Sequence, residues 1–435
     1  MASKNYPPQP ATTLLAQLAG LWRSAEREHW LFVLPFLVMA PLLALLTMDP
    51  ALAYSNTRSF STPILMAELV LIVLALRRKP QGTSLFGDLA PATRILGGLW
   101  IGAILVSMAG AEFAPAHAQI RTVFTLLHAF FALALWSTLT TDRRLRHDCL
   151  GAAALGLGVF VLMAYGFGLW NMGRTDFPWT RFGVGVTNIR HFGYIALALT
   201  GISVGLWLNA AKGRAEVMPA TLFFLGAFLL MWSGGRGAFI ALLVQLAVLL
   251  AIAPTDRRIA FGLRLLGVLT VATLLAGLYI PVKHFGPLNI FLRLDTGAMP
   301  GEEYMTGRAE IWRQTAALIP EHLWFGYGEA QFRLVVPAAR GFYNHPHNLP
   351  LQLLMQWGVI GTALLAVLLA RIGWKALPLL KTPSDLTYPC VAVITGLLAV
   401  SMVDGPFFYP LPTMLFLLAL AVLVAEAGEP EAFRK

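Results

Sequence analysis

Long apolar runs recur along nearly the whole chain, and they limit the possible folds more than any other feature. They lie at about 31–47, 62–76, 95–111, 122–140, 149–170, 192–211, 217–232, 238–253, 264–281, 348–370, 388–404 and 411–425. A helix needs roughly 17–25 mostly apolar residues to cross a bilayer. The runs are continuous rather than alternating, which selects helices over a closed barrel. Only 12% of the residues are charged and 57% are hydrophobic, whereas a soluble domain carries about 25% charge. The expected fold is therefore an all-α polytopic membrane protein with about twelve transmembrane helices.

Basic residues orient the expected spans. With the N-terminus in the cytoplasm, the inner segments hold clusters such as Arg77, Arg78 and Lys79, Arg143, Arg144 and Arg146, and Arg371, Lys375 and Lys381. That asymmetry follows the positive-inside rule and puts both termini in the cytoplasm. The net charge of +10 thus reflects loops at a membrane surface rather than a nucleic-acid partner. The chain divides into an N-terminal segment (1–30), nine spans (31–281), one large outer loop (282–347), three further spans (348–426) and a short tail (427–435). Residues 11–28 space Leu14, Leu18, Leu21 and Trp22 as one face of an amphipathic interfacial helix. Cys149 and Cys390 lie in or beside apolar runs and suggest neither a disulfide framework nor a metal cluster. No cleavage pattern follows the first apolar run.

Arginines on the outer side run against the topology rule. The long loop is exempt from it, but Arg236 sits in the short hairpin "SGGRG" between two spans. Its flanking glycines let a ligand approach the backbone, and an arginine opening a helix there suits phosphate oxygens. A guanidinium snorkelling to lipid headgroups is the alternative. Arg190, in "NIRHFG", opens another span and argues for the same cavity. In the loop, "TGRAEIWRQTAAL" reads as a helix over about 306–318, with Thr306 as N-cap and Arg308 in the first turn. Arg308 could act on an anion. Arg313 reads more readily as part of a solvated face.

The stretch "YNHPHN", directly before an apolar run, holds His345, His347 and Asn348. A helix N-terminus disfavours imidazolium, so His347 is expected to be neutral and able to accept a proton as a general base. A histidine that merely caps the helix would look the same. His345 is stiffened by Pro346 and could support its neighbours without reacting itself. A metal site with His284 or His322 lacks the cysteines or paired carboxylates of usual zinc spacing. Asp404, at an outer span end, could orient an arginine or a histidine. No nucleotide-binding loop is present.

His347-Asn348, nine residues, then Gly358 and Gly361 resembles the His-(Asn/Ser/Gln)-x9-Gly-x-x-Gly signature of bacterial O-antigen ligases. "SGGRG" and "GRAEIWRQTAALIPEHLWFGYG" resemble elements of the wider O-antigen ligase and polymerase superfamily. The resemblance covers about 230–365 by motif and the rest by topology. It implies a GT-C type glycosyltransferase of the bacterial inner membrane, working at the periplasmic face. Such a ligase moves a glycan from undecaprenyl diphosphate to a sugar hydroxyl of lipid A–core, with inversion and with neither metal nor cofactor. His347 would be the general base, and Arg236 and Arg308 would bind the diphosphate. An O-antigen polymerase or a protein O-oligosaccharyltransferase would use the same donor. From another class, a polytopic lipid transporter would also use outward arginines.

Overall fold

The computed structural model describes residues 27–48, 57–78, 85–87, 89–174, 176–177, 179, 184–186, 188–281, 285–291, 308–340 and 343–428. Nearly all of the expected amphipathic segment, with Thr306 and His284, lies outside these residues. Every described regular element is helical. The helices are α1 (Arg27–Thr47), α2 (Thr57–Arg78), α3 (Pro91–Ala109), α4 (Pro115–Thr141), α5 (Arg143–Trp170), α6 (Phe192–Asn209), α7 (Arg214–Ser233), α8 (Arg236–Ile252) and α9 (Thr255–Leu278). After short α10 (Leu288–Phe291) come α11 (Arg308–Leu318), α12 (Phe332–Val335), α13 (Leu349–Ala376), α14 (Thr387–Ser401) and α15 (Pro410–Ala427).

Among the described residues nine helices are long and apolar enough to cross a membrane: α1, α3 to α7, α9, α13 and α15. Helices α8 and α14 are equally apolar but have 17 and 15 residues. Helix α2 has 22 residues and carries Glu68, Arg77 and Arg78. Helix starts follow local chemistry. Proline, which has no N–H to lose, opens α3, α4 and α15. The Asp142 carboxylate accepts the Leu145 N–H at 3.0 Å and caps α5. Helix α6 is apolar and buried on all sides, which makes it the centre of the bundle, with α7 and α14 packed along it.

Arg146, expected in a cytoplasmic loop, instead lies in the first turn of α5 and is fully buried. Its Nη1 donates to Glu426 Oε1 at 2.7 Å, and Nε and Nη2 donate to the carbonyls of Leu139 and Thr140. A charge this enclosed persists only with such a full set of partners. The pair ties α5 to the end of α15.

Helix α13 is broken at Gly358, whose φ of 62° and ψ of −166° are not helical. An unbroken helix would bond the carbonyls of Met355 and Gln356 to the N–H groups of Val359 and Ile360. Those four groups instead bond the segment at 323–328. Tyr327 N–H donates to Met355 O at 2.8 Å and Gly328 N–H to Gln356 O at 3.0 Å. Val359 N–H donates to Leu323 O at 2.8 Å and Ile360 N–H to Trp324 O at 3.1 Å. A Cβ at Gly358 would lie 2.4 Å from the Trp324 carbonyl carbon, so only glycine permits this approach. Nearby, Ile311, Tyr327, Phe332, Val336, Ala339 and Met355 form a small separate core that seats α11 against α13.

Candidate active site

Asn348 caps α13: its Oδ1 accepts the Leu351 N–H at 3.0 Å, and its Nδ2 donates to Met402 O at 2.9 Å. That second bond draws the end of α14 to the start of α13. His347, one residue earlier, has a left-handed backbone with φ of 55°. Such a conformation costs a non-glycine residue about 1–3 kcal/mol, and two hydrogen bonds hold it. The His347 N–H donates to His345 Nδ1 at 3.2 Å. The His347 Nδ1 lies 2.6 Å from Asp404 Oδ1.

Asp404 is the hub. Its Oδ1 also accepts the Gly405 N–H at 2.9 Å, and its Oδ2 takes Arg308 Nη2 at 3.3 Å. Arg308 Nη1 donates to the neighbouring carbonyl of Val403. Burial pushes the Asp404 carboxyl up. The hydrogen bond and charge of His347, with Arg308 behind, outweigh it and hold Asp404 well below the usual carboxylate range. A charged Asp404 accepts this bond, so His347 Nδ1 is its donor, and in the neutral ring Nε2 is then the acceptor nitrogen.

His345 is 3% exposed, and its ring lies 4.2 Å from that of His347 and 4.9 Å from that of Phe408. Burial, then the charge of His347, pushes its pKa well below the ordinary histidine value. It is therefore neutral, with Nδ1 free to accept the His347 N–H. A Cβ at Gly405 would come within 2.0 Å of the His345 ring, so the glycine makes room for it.

The sequence-predicted arginines divide. Arg308 joins the site directly. Its helix is fixed there by Trp312, whose Nε1 donates to Pro346 O at 2.7 Å. Arg236 opens α8 after the left-handed turn at Gly234. The next residue, Gly237, faces Val403: a Cβ there would lie 3.1 Å from its side chain. This brings the α8 start beside the Arg308 contact. Arg190 is exposed. Its neighbour His191 reaches the site edge, with its ring 4.3 Å from that of Tyr409. Arg313 does not join: it is exposed and pairs with Glu310, Nε to Oε2 at 2.8 Å.

Sequence reasoning missed a polar stripe on α4. Arg121 Nη2 donates to Phe408 O at 3.2 Å, with its guanidinium 4.3 Å from the Phe408 ring centre. One turn on, the Thr125 hydroxyl donates to Glu329 Oε1 at 2.7 Å, and Trp357 Nε1 reaches the same oxygen at 3.3 Å. Further along, His128 Nδ1 lies 2.8 Å from Oε2 of fully buried Glu68. The spacing of Arg121, Thr125 and His128 was a visible signal, because those positions share a helix face. Among the described residues no three His, Cys, Asp or Glu side chains are grouped to hold a metal ion.

The family model for O-antigen ligase matches residues 221–366. That stretch belongs to the O-antigen ligase family. No curated protein matches the sequence. The ligase-family segment runs from within α7 into α13 and contains Arg236, Arg308, His345, His347, Gly358 and Gly361. Asp404, Arg190 and Arg121 reach the same end of the bundle from outside it. That match supports a glycosyltransferase-like enzyme acting on lipid-linked polysaccharide, and the nine long apolar helices among the described residues support a multi-pass membrane protein.

Proposed function

We propose that the protein is an O-antigen ligase of the bacterial inner membrane. It transfers a glycan from undecaprenyl diphosphate to a sugar hydroxyl of lipid A–core, at the periplasmic face. The observation that carries this reading is the Arg308–Asp404–His347 chain, which leaves His347 Nε2 free to accept a proton. In the proposed step Nε2 takes the proton of the acceptor hydroxyl as its oxygen attacks the anomeric carbon. The bond from that carbon to the diphosphate breaks, with inversion, and the diphosphate leaves with the electron pair. Asp404 stabilises the imidazolium as it forms. General-base help of this kind is worth roughly 10²–10⁴-fold.

Arg236 and Arg308 take up the negative charge that develops on the diphosphate. Arg308 spends two of its five N–H donors on Val403 and Asp404 and retains others for phosphate oxygens. Arg190 is assigned to the approach of the same anion. In this topology all twelve long helices cross the membrane, both termini are cytoplasmic and the loop over 282–347 leaves the bundle on the outer side. The clustering of basic residues supports that orientation.

The test is complementation of a strain lacking its own ligase. Return of long-chain lipopolysaccharide is the expected result. Polymer that lengthens but stays on the lipid carrier would identify a polymerase and overturn the ligase assignment. In the purified system, glycan transfer is expected to continue in excess EDTA.

A further inference from the structure

We infer that the segment Leu323–Gly328 is a re-entrant membrane element. It sits within the hydrocarbon of the leaflet at the active-site end of the bundle and presents Leu323 and Trp324 to lipid acyl chains. The inference depends on α3 and α13 crossing the membrane and not on the reaction assigned to the site.

Two helices measure the depth independently. Helices α3 and α13 run side by side, tied at one end by Arg371 Nε donating to Thr93 Oγ1 at 3.2 Å. Arg94, Arg371 and Lys375 mark that end as a membrane surface. The helices are tied again where Ser107 Oγ donates to Gln356 O at 2.5 Å. From Thr93 to Ser107 is 14 residues, and from Arg371 back to Gln356 is 15. At about 1.5 Å per residue both distances are roughly 21–23 Å. The hydrocarbon core is about 30 Å thick. The segment bonded to Met355, Gln356, Val359 and Ile360 therefore lies some 8 Å beneath the opposite boundary.

The hydrogen bonding suits that depth. Non-helical backbone survives inside a membrane only where its polar groups find protein partners. Here the broken turn of α13 and the segment satisfy each other through four backbone bonds, and Gly326 N–H donates to His322 O at 2.8 Å. The outward side chains match as well. Trp324 is 62% exposed and Leu323 38%, beside Val359 at 38% and, on α3, Val106 at 50%. An aqueous loop would gain nothing from this surface, whereas a lipid-facing one needs it. By holding the far end of α11, the element fixes the depth at which Arg308 meets Asp404.

The experiment places a nitroxide label at Leu323→Cys and, separately, at Trp324→Cys in full-length protein. The protein is reconstituted in phosphatidylcholine–phosphatidylglycerol vesicles. The two native cysteines, Cys149 and Cys390, are buried. Labels at Val106→Cys on α3 and Arg313→Cys on α11 supply the lipid and aqueous references in the same fold. Labels at 323 and 324 are expected to collide with oxygen in preference to a water-soluble nickel chelate, as the label at 106 does. Nickel accessibility at both positions equal to that at 313, with the label at 106 still reading as lipid, would overturn the inference.

Discussion

His347 and Asp404 are 57 residues apart in sequence, yet Nδ1 of one lies 2.6 Å from Oδ1 of the other. That bond fixes the ring, its tautomer and the nitrogen left to react. Asp404→Asn keeps an acceptor oxygen and removes the charge. Glycan transfer is expected to fall about 10²–10⁴-fold while the protein stays folded. A time course with purified lipid-linked donor and acceptor measures it, and a wild-type rate would end the orienting role of Asp404. The pH behaviour has a definite sign. A carboxyl with a depressed folded pKa contributes stability above its unfolded value, about 3.9. That contribution is lost only as pH falls through the lower folded value. The stability difference between wild type and Asp404→Asn is therefore expected to be flat between pH 5 and 8.

Arg236 and Arg308 are expected to separate kinetically. Arg236→Ala is expected to raise the donor KM tenfold or more and to leave the acceptor KM unchanged. Arg308→Ala also strips Asp404 of its arginine, so kcat is expected to fall with it. Titrating donor and acceptor independently distinguishes the two, and an unchanged donor KM in Arg236→Ala would remove that residue from the diphosphate site.

Gly405→Ala drives a methyl group into the His345 ring. His345 accepts the N–H that holds the left-handed backbone of His347. The variant is expected to accumulate normally in membranes and to lose at least tenfold in transfer rate. Immunoblotting of membranes alongside the transfer assay tests both halves of the statement.

Glu329 is buried beside Thr125 and Trp357, and burial raises its pKa against the opposing pull of Arg121. A raised carboxyl pKa favours folding below the unfolded value and loses that benefit as pH rises through the folded value. Glu329→Gln keeps the acceptor oxygen and cannot ionise. Its thermal midpoint is expected to fall less than that of wild type between pH 5 and 9. Glu329→Ala strands two donors and is expected to cost about 1–3 kcal/mol. Parallel melting curves of wild type and Glu329→Gln across that range would refute the raised carboxyl pKa of Glu329.

Hydropathy located every long helix among the described residues, because the demand for unbroken apolar length is written locally. The placement of His347 at a helix entry was equally local, although the cap is Asn348 and not the histidine. What stayed hidden depends on contacts between distant segments. Arg146 looked like a loop charge because its partner, Glu426, lies 280 residues away. Glu68 and His128 each interrupt an apolar run and make sense only as a pair. Asp404 was recognisable as an outward acid, but its simultaneous hold on His347 and Arg308 was not. Gly358 and Gly361 were visible as a pattern. The reason for Gly358 lay some thirty residues upstream, in the backbone it must admit.

The broken turn of α13 also governs how this protein can be recombined. Its hydrogen bonds are shared between two stretches that sequence alone would treat as separable parts. Exchanging the loop for one whose backbone takes another path there would leave four backbone groups of the recipient helix without partners. A working chimaera must carry residues 355–360 along with 323–328, so the heritable unit is the interlocked pair.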